Sequence, residues 1–218
     1  MAQSNRLSFK TPLAIKRPFG KDRYEVWSPK LSRRLTLYSE LNLYCWVLIE
    51  GNPSIQRFCE RPYAIQLFGK KSTVDFWTSG DVGDQFIFIT PDETPSKLEQ
   101  EIFSQKSFVS WAQDGAIDIK IISKESIRNK NTEICNWSLM IRHLSANHAL
   151  ISEDMSRKIQ RMIIAGGEVT LQEILDTLNS DDPVVVKAAA FQLLHCGKAK
   201  CRDLASNPLS NDLVLEVA

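Results

Sequence analysis

Two acidic residues stand where a metal-dependent phosphodiesterase would hold its cation. Glu40 begins an apolar segment with helical spacing, and Asp75 lies near the end of the short apolar stretch "TVDFW". Hydrolysis of a phosphodiester with a divalent cation needs oxygen ligands that hold the metal against the phosphate, and a group that orients or deprotonates water. Spacing alone is weak support, because a chain with 26 acidic residues always offers two that could converge.

The elements around these carboxylates predict an α/β domain. Apolar residues at helical spacing predict a helix over 39–50, with Ser39 as its cap and Gly51-Asn52-Pro53 as its stop signal. The runs "SIQRFCE", "YAIQLF", "TVDFW" and "QFIFIT" predict four consecutive strands. An amphipathic helix is predicted over 95–113, a strand over 116–122 and a further helix from about 131 to 144.

The last third has a different pattern. A helix is predicted over 153–165. "TLQEILDTL" predicts a second helix capped by Thr170 with Glu173 three positions later, and Asp182-Pro183 predicts the start of a third, which ends at Gly197. The remaining residues resemble a strand, a turn and a strand. Three helices followed by a β-hairpin are typical of a winged helix-turn-helix domain.

Charge is unevenly distributed along the 218 residues. The net charge of the chain is +1, but residues 1–36 carry nine basic side chains against Asp22 and Glu25, so this segment is at +7 and the remainder at −6. A basic arm ahead of an acidic body suits phosphate contacts. A solvated terminus without a partner is an equally good interpretation. We expect three parts: the basic arm 1–36, an α/β domain 37–150 and a winged-helix-like domain 151–218.

Composition predicts a soluble cytoplasmic protein. The five cysteines are odd in number and irregularly spaced, which favours reduced thiols over a disulfide framework. The first thirty residues lack an apolar signal core, and no run of eighteen apolar residues occurs, so we expect neither secretion nor a membrane partner.

A family resemblance joins these features. The run from Tyr24 to Trp77, with "SPKLSRR", the helix bearing Glu40, "NPSIQRFCERP" and "TVDFW", resembles the TnsA-like endonuclease subunit of heteromeric, Tn7-like DNA transposases. The stretches "GGEVTLQEILDTL" and "AAAFQLLHCGKAKCRDLASNPLS" resemble the winged-helix tail of the same family. Together these similarities cover most of residues 24–212.

The resemblance implies a restriction-endonuclease-like core of the PD-(D/E)XK type, followed by a winged helix. It implies an enzyme that cuts the 5′ ends of the transposon with Mg²⁺, while a DDE transposase processes the 3′ ends. Glu40 and Asp75 match the catalytic and metal-binding carboxylates. The next strand should supply Gln or Glu, one spacer and Lys, but these places fall on Phe88 and Thr90. Lys70, Lys71, Lys97 or Gln85 could supply replacements.

Two hypotheses follow. In the first, the chain is a TnsA-like component with a degenerate site and lost or weak 5′-strand cleavage. It binds the double-stranded DNA of transposon ends, with Lys30, Arg33 and Arg34 among the contacts, and bridges the DDE transposase to an AAA+ ATPase regulator. In the second, it is an active Mg²⁺-dependent endonuclease with a rearranged site. Whether it is an enzyme stays open at this point.

Overall fold

The chain is a mixed α/β protein in the computed structural model, which describes residues 7–91 and 96–218. Arg6 of the predicted basic arm and the predicted first residue of the 95–113 helix lie outside these ranges. In chain order the elements are β1 (Arg23–Ser28), β2 (Arg33–Tyr38), α1 (Glu40–Gly51), β3 (Ile55–Glu60), β4 (Ala64–Leu67), β5 (Lys70–Thr73), β6 (Phe76–Gly80), β7 (Gly83–Thr90), α2 (Ser96–Ser104), α3 (Lys106–Asp114), β8 (Ile117–Ser123), α4 (Lys124–Arg128), α5 (Asn131–Asn147), α6 (Glu153–Gly166), β9 (Glu168–Thr170), α7 (Leu171–Thr177), α8 (Pro183–His195), β10 (Ala199–Lys200) and β11 (Val214–Val217).

These elements fall into two compact units. The first holds the described residues up to Val26, Arg34–Ile49 and Ser54–Asn129; the second holds Trp27–Arg33, Glu50–Pro53 and Lys130–Ala218. The partition follows contacts and not the order of the chain, so two short segments from the first quarter of the sequence belong to the second unit.

A four-stranded mixed sheet organises the first unit, in the order β3-β6-β7-β8. β3, β6 and β7 are antiparallel neighbours, whereas β8 runs parallel to β7, with Phe88 opposite Ile121. A parallel neighbour needs a crossover connection, and α2 and α3 supply it. The strands predicted from "SIQRFCE", "YAIQLF" and "QFIFIT" and the strand predicted over 116–122 are confirmed, whereas "TVDFW" is divided, since Thr73 ends β5 and Phe76 begins β6. β4 and β5 form a separate two-stranded sheet.

The predicted helix over 95–113 is two helices in the structure. Gln105 adopts a non-helical backbone conformation between α2 and α3, and its side-chain amide donates a hydrogen bond to the carbonyl of Gln66 in β4. The apolar periodicity continues across the break, because Ile102 of α2 and Phe108 of α3 enter the same core cluster as Phe88. Periodicity therefore identified the buried face of these helices correctly, although the helix is interrupted at Gln105.

The second unit combines helices α5 to α8 with a small antiparallel sheet in the order β10-β11-β9. A capping box begins α7, since the Thr170 hydroxyl accepts from the Glu173 amide while the Glu173 carboxylate accepts from the Thr170 amide. The Asp182 carboxylate caps α8. The predicted helices and the pairing of the two last strands are thus confirmed, and β9 joins them as a third strand.

Candidate functional site

Asp75 lies at an irregularity between β6 and β7. Its amide donates to the Ile87 carbonyl at 3.1 Å, although the cross-strand partner of Ile87 is the next residue, Phe76. Two consecutive residues opposite one are the pattern of a β-bulge, a feature that re-aims a side chain. Here the side chain of Asp75 points toward α1, where the Asn42 amide donates to its Oδ1 at 2.9 Å.

The environment of Asp75 opposes ionisation. Desolvation raises the pKa of its carboxyl to about 6, although the hydrogen bonds from Asn42 and from the Ile89 amide, the latter at 2.7 Å, act in the opposite direction. The side chain keeps partial solvent exposure, yet the atoms packed around the carboxylate remove most of its hydration. A perturbed carboxyl of this kind is a candidate for a functional site, and structural networks perturb carboxyls too.

Glu40 does not share this position. It is exposed at the first turn of α1, and its Oε1 accepts a hydrogen bond from the Tyr44 hydroxyl at 2.8 Å. Asn42 faces Asp75, and two residues along a helix turn the side-chain direction by about 200°, so Glu40 points away from this contact. The α1 side chain that meets Asp75 is therefore an amide and not the second carboxylate.

Phe88 and Thr90 lie on the face of β7 opposite to the carboxylate of Asp75. Phe88 is 1% exposed and packs in the core cluster, with its ring 6.2 Å from that of Phe108 in α3. Thr90 is buried on the same side by the alternation of the strand. Ile87 and Ile89 thus flank Asp75 on β7. The register of the predicted site is shifted by one residue, and the two β7 residues that flank Asp75 are apolar. Gln85 lies on the same face of β7, two residues before Ile87 and opposite Thr78.

Lys120 is a cation on the same face of the sheet as Ile87 and the Asp75 carboxylate. It lies in β8 opposite Ile87, and parallel partners project to the same side of a sheet. Its charge also reaches Cys45 of α1: burial raises the pKa of the Cys45 thiol above its usual range, the charge of Asp75 adds to this effect and that of Lys120 opposes it. Both charges therefore act on one thiol.

Sequence reasoning missed Lys120, and the three lysines predicted as replacements lie elsewhere. Lys70 and Lys71 are exposed in β5, which pairs with β4, and Lys97 is exposed on α2, the helix whose Ile102 packs with Phe88. The sequence signal that could have identified Lys120 is the alternation in "IDIKIIS". Ile119 and Ile121 pack on the core, which leaves Lys120 on the other face of the sheet.

The oxygens of Asp75 that a Mg²⁺ ion would need already accept hydrogen bonds from the protein. Magnesium prefers oxygen ligands in octahedral geometry, commonly one or two carboxylates with waters and phosphates. Both oxygens of Asp75 accept hydrogen bonds, and the amide oxygen of Asn42 accepts from the Ser39 hydroxyl at 2.6 Å. A second carboxylate, Glu60 of β3, is buried on the same face of the sheet as the cross-strand partner of Phe76. Across residues 7–91 and 96–218, no group of three or more His, Cys, Asp or Glu side chains is arranged to hold a metal ion.

The predicted DNA contacts differ in their exposure. Lys30 is half-buried in the second unit, where its amine donates to the Asn52 carbonyl, and burial lowers the pKa of that amine to about 8 while the negative charge of Glu50 acts to raise it. Arg33 is half-buried and Arg34 is exposed. Arg34 is consequently the most accessible of the three to a phosphate.

A buried polar cluster, not anticipated from the sequence, surrounds Glu50 in the second unit. The Glu50 side chain is fully buried and receives the Ser28 hydroxyl at 2.6 Å, the Lys30 amide at 2.9 Å and the His195 Nε2 at 3.0 Å. These contacts satisfy the carboxylate and join three segments that are far apart in the sequence. The cluster therefore holds these segments together within the second unit.

Comparisons with known proteins add no assignment: no protein-family model matches the chain, and no curated protein matches it significantly. Among the helices that the structure describes, none combines the length and apolar character needed to cross a bilayer.

Proposed function

We propose that this chain is a TnsA-like component of a DNA transposition complex in which 5′-strand cleavage has been lost or is weak. It binds the double-stranded DNA of transposon ends through its basic arm and bridges a DDE transposase and an AAA+ ATPase regulator. We place it in the cytoplasm. Its first unit is a restriction-endonuclease-like core that serves as a scaffold, and its second unit carries a winged-helix domain.

The environment of Asp75 is the observation that carries this proposal. The carboxylate bonds to the Asn42 amide and the Ile89 backbone, and its neighbours on β7 are two isoleucines. A nuclease needs a second oxygen ligand and a group that stabilises the charge developing on the phosphate, and loss of one such electrostatic contact costs about 3–4 kcal/mol in the activation barrier. With the acid and the lysine both missing from β7, cleavage is slow.

The topology of each unit supports the proposed architecture. The first unit has the helix, antiparallel strands, crossover helices and returning strand that its sequence predicts. The second has three helices, α6 to α8, and a small antiparallel sheet, which is compatible with the proposed winged helix. Helix α5 packs along α8, the helix that would read bases in such a domain. His143 of α5 bonds the Val184 carbonyl at 2.9 Å and its ring lies 5.5 Å from that of Phe191. A covered third helix favours partner docking over groove reading.

A second candidate function is favoured by Lys120. In this alternative the chain is an active Mg²⁺-dependent endonuclease that cuts the 5′ ends of the transposon through a rearranged site. Asp75 and Glu40 would be the metal ligands, and the Lys120 amine on β8 would replace the missing lysine of β7. The position of Lys120 opposite Ile87 makes this replacement geometrically reasonable, whereas the direction of Glu40 opposes it.

The bridging role can be tested by assembly. The purified chain is mixed with the DDE transposase and AAA+ regulator of one transposition system and a duplex carrying the transposon end, and the mixture is analysed by size-exclusion chromatography with light scattering. We expect a complex that contains all three proteins and the duplex. A chain that elutes alone, while transposase and regulator behave normally, would refute the bridging role.

A further inference from the structure

A groove in the second unit has the properties of a peptide-binding site. It encloses about 450 Å³ beside α5 and α8, a volume in the range of sites that take small ligands or single side chains. We call it the α5/α8 groove. Its apolar lining comes from Leu139, Ala146, Leu171, Phe191 and Leu209.

Basic side chains border the apolar lining. Arg142 of α5 and Lys187 of α8 line the groove, and no Asp or Glu does; the nearest acid in sequence, Asp212, lies one residue beyond the lining residue Asn211. Within the described ranges neither Arg142 nor Lys187 takes part in an ion pair or a side-chain hydrogen bond. Both cations are therefore available to an external anion.

Hydrogen bonds hold the walls of the groove in place. The buried Asn136 side chain donates to the carbonyls of Leu204 and Asn207 at 2.8 and 2.7 Å and accepts from the Leu209 amide at 2.8 Å. The backbone amide of Gln172 donates to the Asn211 carbonyl at 2.8 Å, which ties the segment that contains Leu209 and Asn211 to α7. A preformed wall lowers the ordering cost of binding.

We propose that the α5/α8 groove binds an acidic peptide segment of a protein partner, with one apolar side chain in the groove and carboxylates against Arg142 and Lys187. Leu139 stays 46% exposed at its edge, as a contact for the apolar anchor. The apolar lining disfavours a DNA backbone, which would need a continuous polar and cationic surface. This deepens the bridging role proposed above by naming the chemistry of the partner.

The test uses the full chain and random twelve-residue peptides displayed on phage. Peptides are selected on the wild-type protein and counter-selected on Leu139→Asp, a change at an exposed position that should leave the fold intact. We expect enriched peptides to combine Asp or Glu with Leu or Phe. One enriched peptide is then labelled with fluorescein, and its affinity is compared with that of a twin whose acids are replaced by Asn and Gln.

We expect about tenfold weaker binding for the amide twin and for Arg142→Gln/Lys187→Gln, because each change removes both charge pairs between the peptide and the groove. The matched control Arg161→Gln/Lys198→Gln, which removes two exposed charges outside the groove, should bind like wild type.

Three outcomes would overturn the proposal. The first is that no selected peptide prefers the wild-type protein over Leu139→Asp. The second is that the amide twin binds with the same affinity as the acidic peptide. The third is that an equimolar twenty-base-pair random duplex, or a second copy of the chain, displaces the peptide from the groove. No transposon DNA is present in this assay, so a negative result would remove the groove and leave the proposed role in transposition to its own test.

Discussion

The Asn42 side chain donates a 2.9 Å hydrogen bond to the carboxylate of Asp75, which links α1 to the bulge before β6. A metal-binding carboxylate would be expected to face other oxygen ligands. Here its α1 partner is an amide whose own oxygen is already bonded to Ser39. The two residues form a structural contact in the position where a nuclease would hold its cation.

The charge of Asp75 should cost stability at neutral pH. Since burial raises the folded-state pKa from 3.8 to about 6, the folded protein binds more protons than the unfolded chain between these values. The stability that this carboxyl contributes to the folded protein is thus fully present below pH 4 and is lost as pH rises through about 6. We predict that Asp75→Asn flattens this slope and lowers the free energy of unfolding at pH 4.5, because the NH₂ group of the new amide would face one of the two donors, the Asn42 side chain or the Ile89 amide.

Urea unfolding between pH 4.5 and pH 8 measures both effects. Asp118→Asn, an exposed substitution on β8, is the control and should leave the pH profile unchanged. A wild-type pH profile in Asp75→Asn would show that the slope does not come from this carboxyl.

Glu50 should be among the carboxylates most important for stability. It is fully buried and accepts from Ser28, Lys30 and His195, so Glu50→Gln would turn an amide donor toward one of these donors. We predict a loss of about 2–4 kcal/mol in the free energy of unfolding. Glu125→Gln on the exposed side of α4 should change it by less than about 0.5 kcal/mol. Equal stabilities of the two variants would contradict the role of the cluster.

Gly51 ends α1 against the indole ring of Trp137, and a Cβ at this position would overlap the ring. Gly-to-Ala changes in helices normally stabilise by about 0.5–1 kcal/mol. We predict the opposite sign for Gly51→Ala, a loss of about 2–3 kcal/mol from overpacking. Thermal unfolding measures it, and Trp137→Leu in the same chain should restore part of the loss. A stabilised Gly51→Ala protein would show that the ring is not in this position.

Arg33→Ala/Arg34→Ala tests the basic arm. If these side chains contact phosphates, the double substitution should weaken binding to unrelated duplexes about equally and lower the slope of log K against log[salt] by roughly 1–2. Fluorescence anisotropy between 50 and 200 mM salt measures both quantities. Lys124→Ala, on α4 in the first unit, is the control. Wild-type affinity and slope in the double variant would exclude the arm.

Most of the fold was predictable because local signals agree with tertiary structure. Ser39, Thr170 and Asp182 cap helices as their sequence positions predict. The candidate site was harder to predict from the sequence. Asp75 was found by its place in the strand pattern, but the bulge that turns it and shifts the register of β7 leaves no mark in the sequence. The contacts of Asp75 with Asn42 and of Glu50 with His195, and the position of Lys120 on the face of Ile87, depend on packing between distant segments.

Strand cleavage at transposon ends tests the central claim most directly. The chain and its DDE transposase are incubated with a 5′-labelled transposon-end duplex and Mg²⁺ or Mn²⁺, alongside Asp75→Ala and Lys120→Ala variants. The degenerate site predicts 3′-end processing by the transposase with no 5′-strand nicks that depend on Asp75. Robust 5′ nicking that disappears in both Asp75→Ala and Lys120→Ala would contradict the account and establish an active, rearranged nuclease.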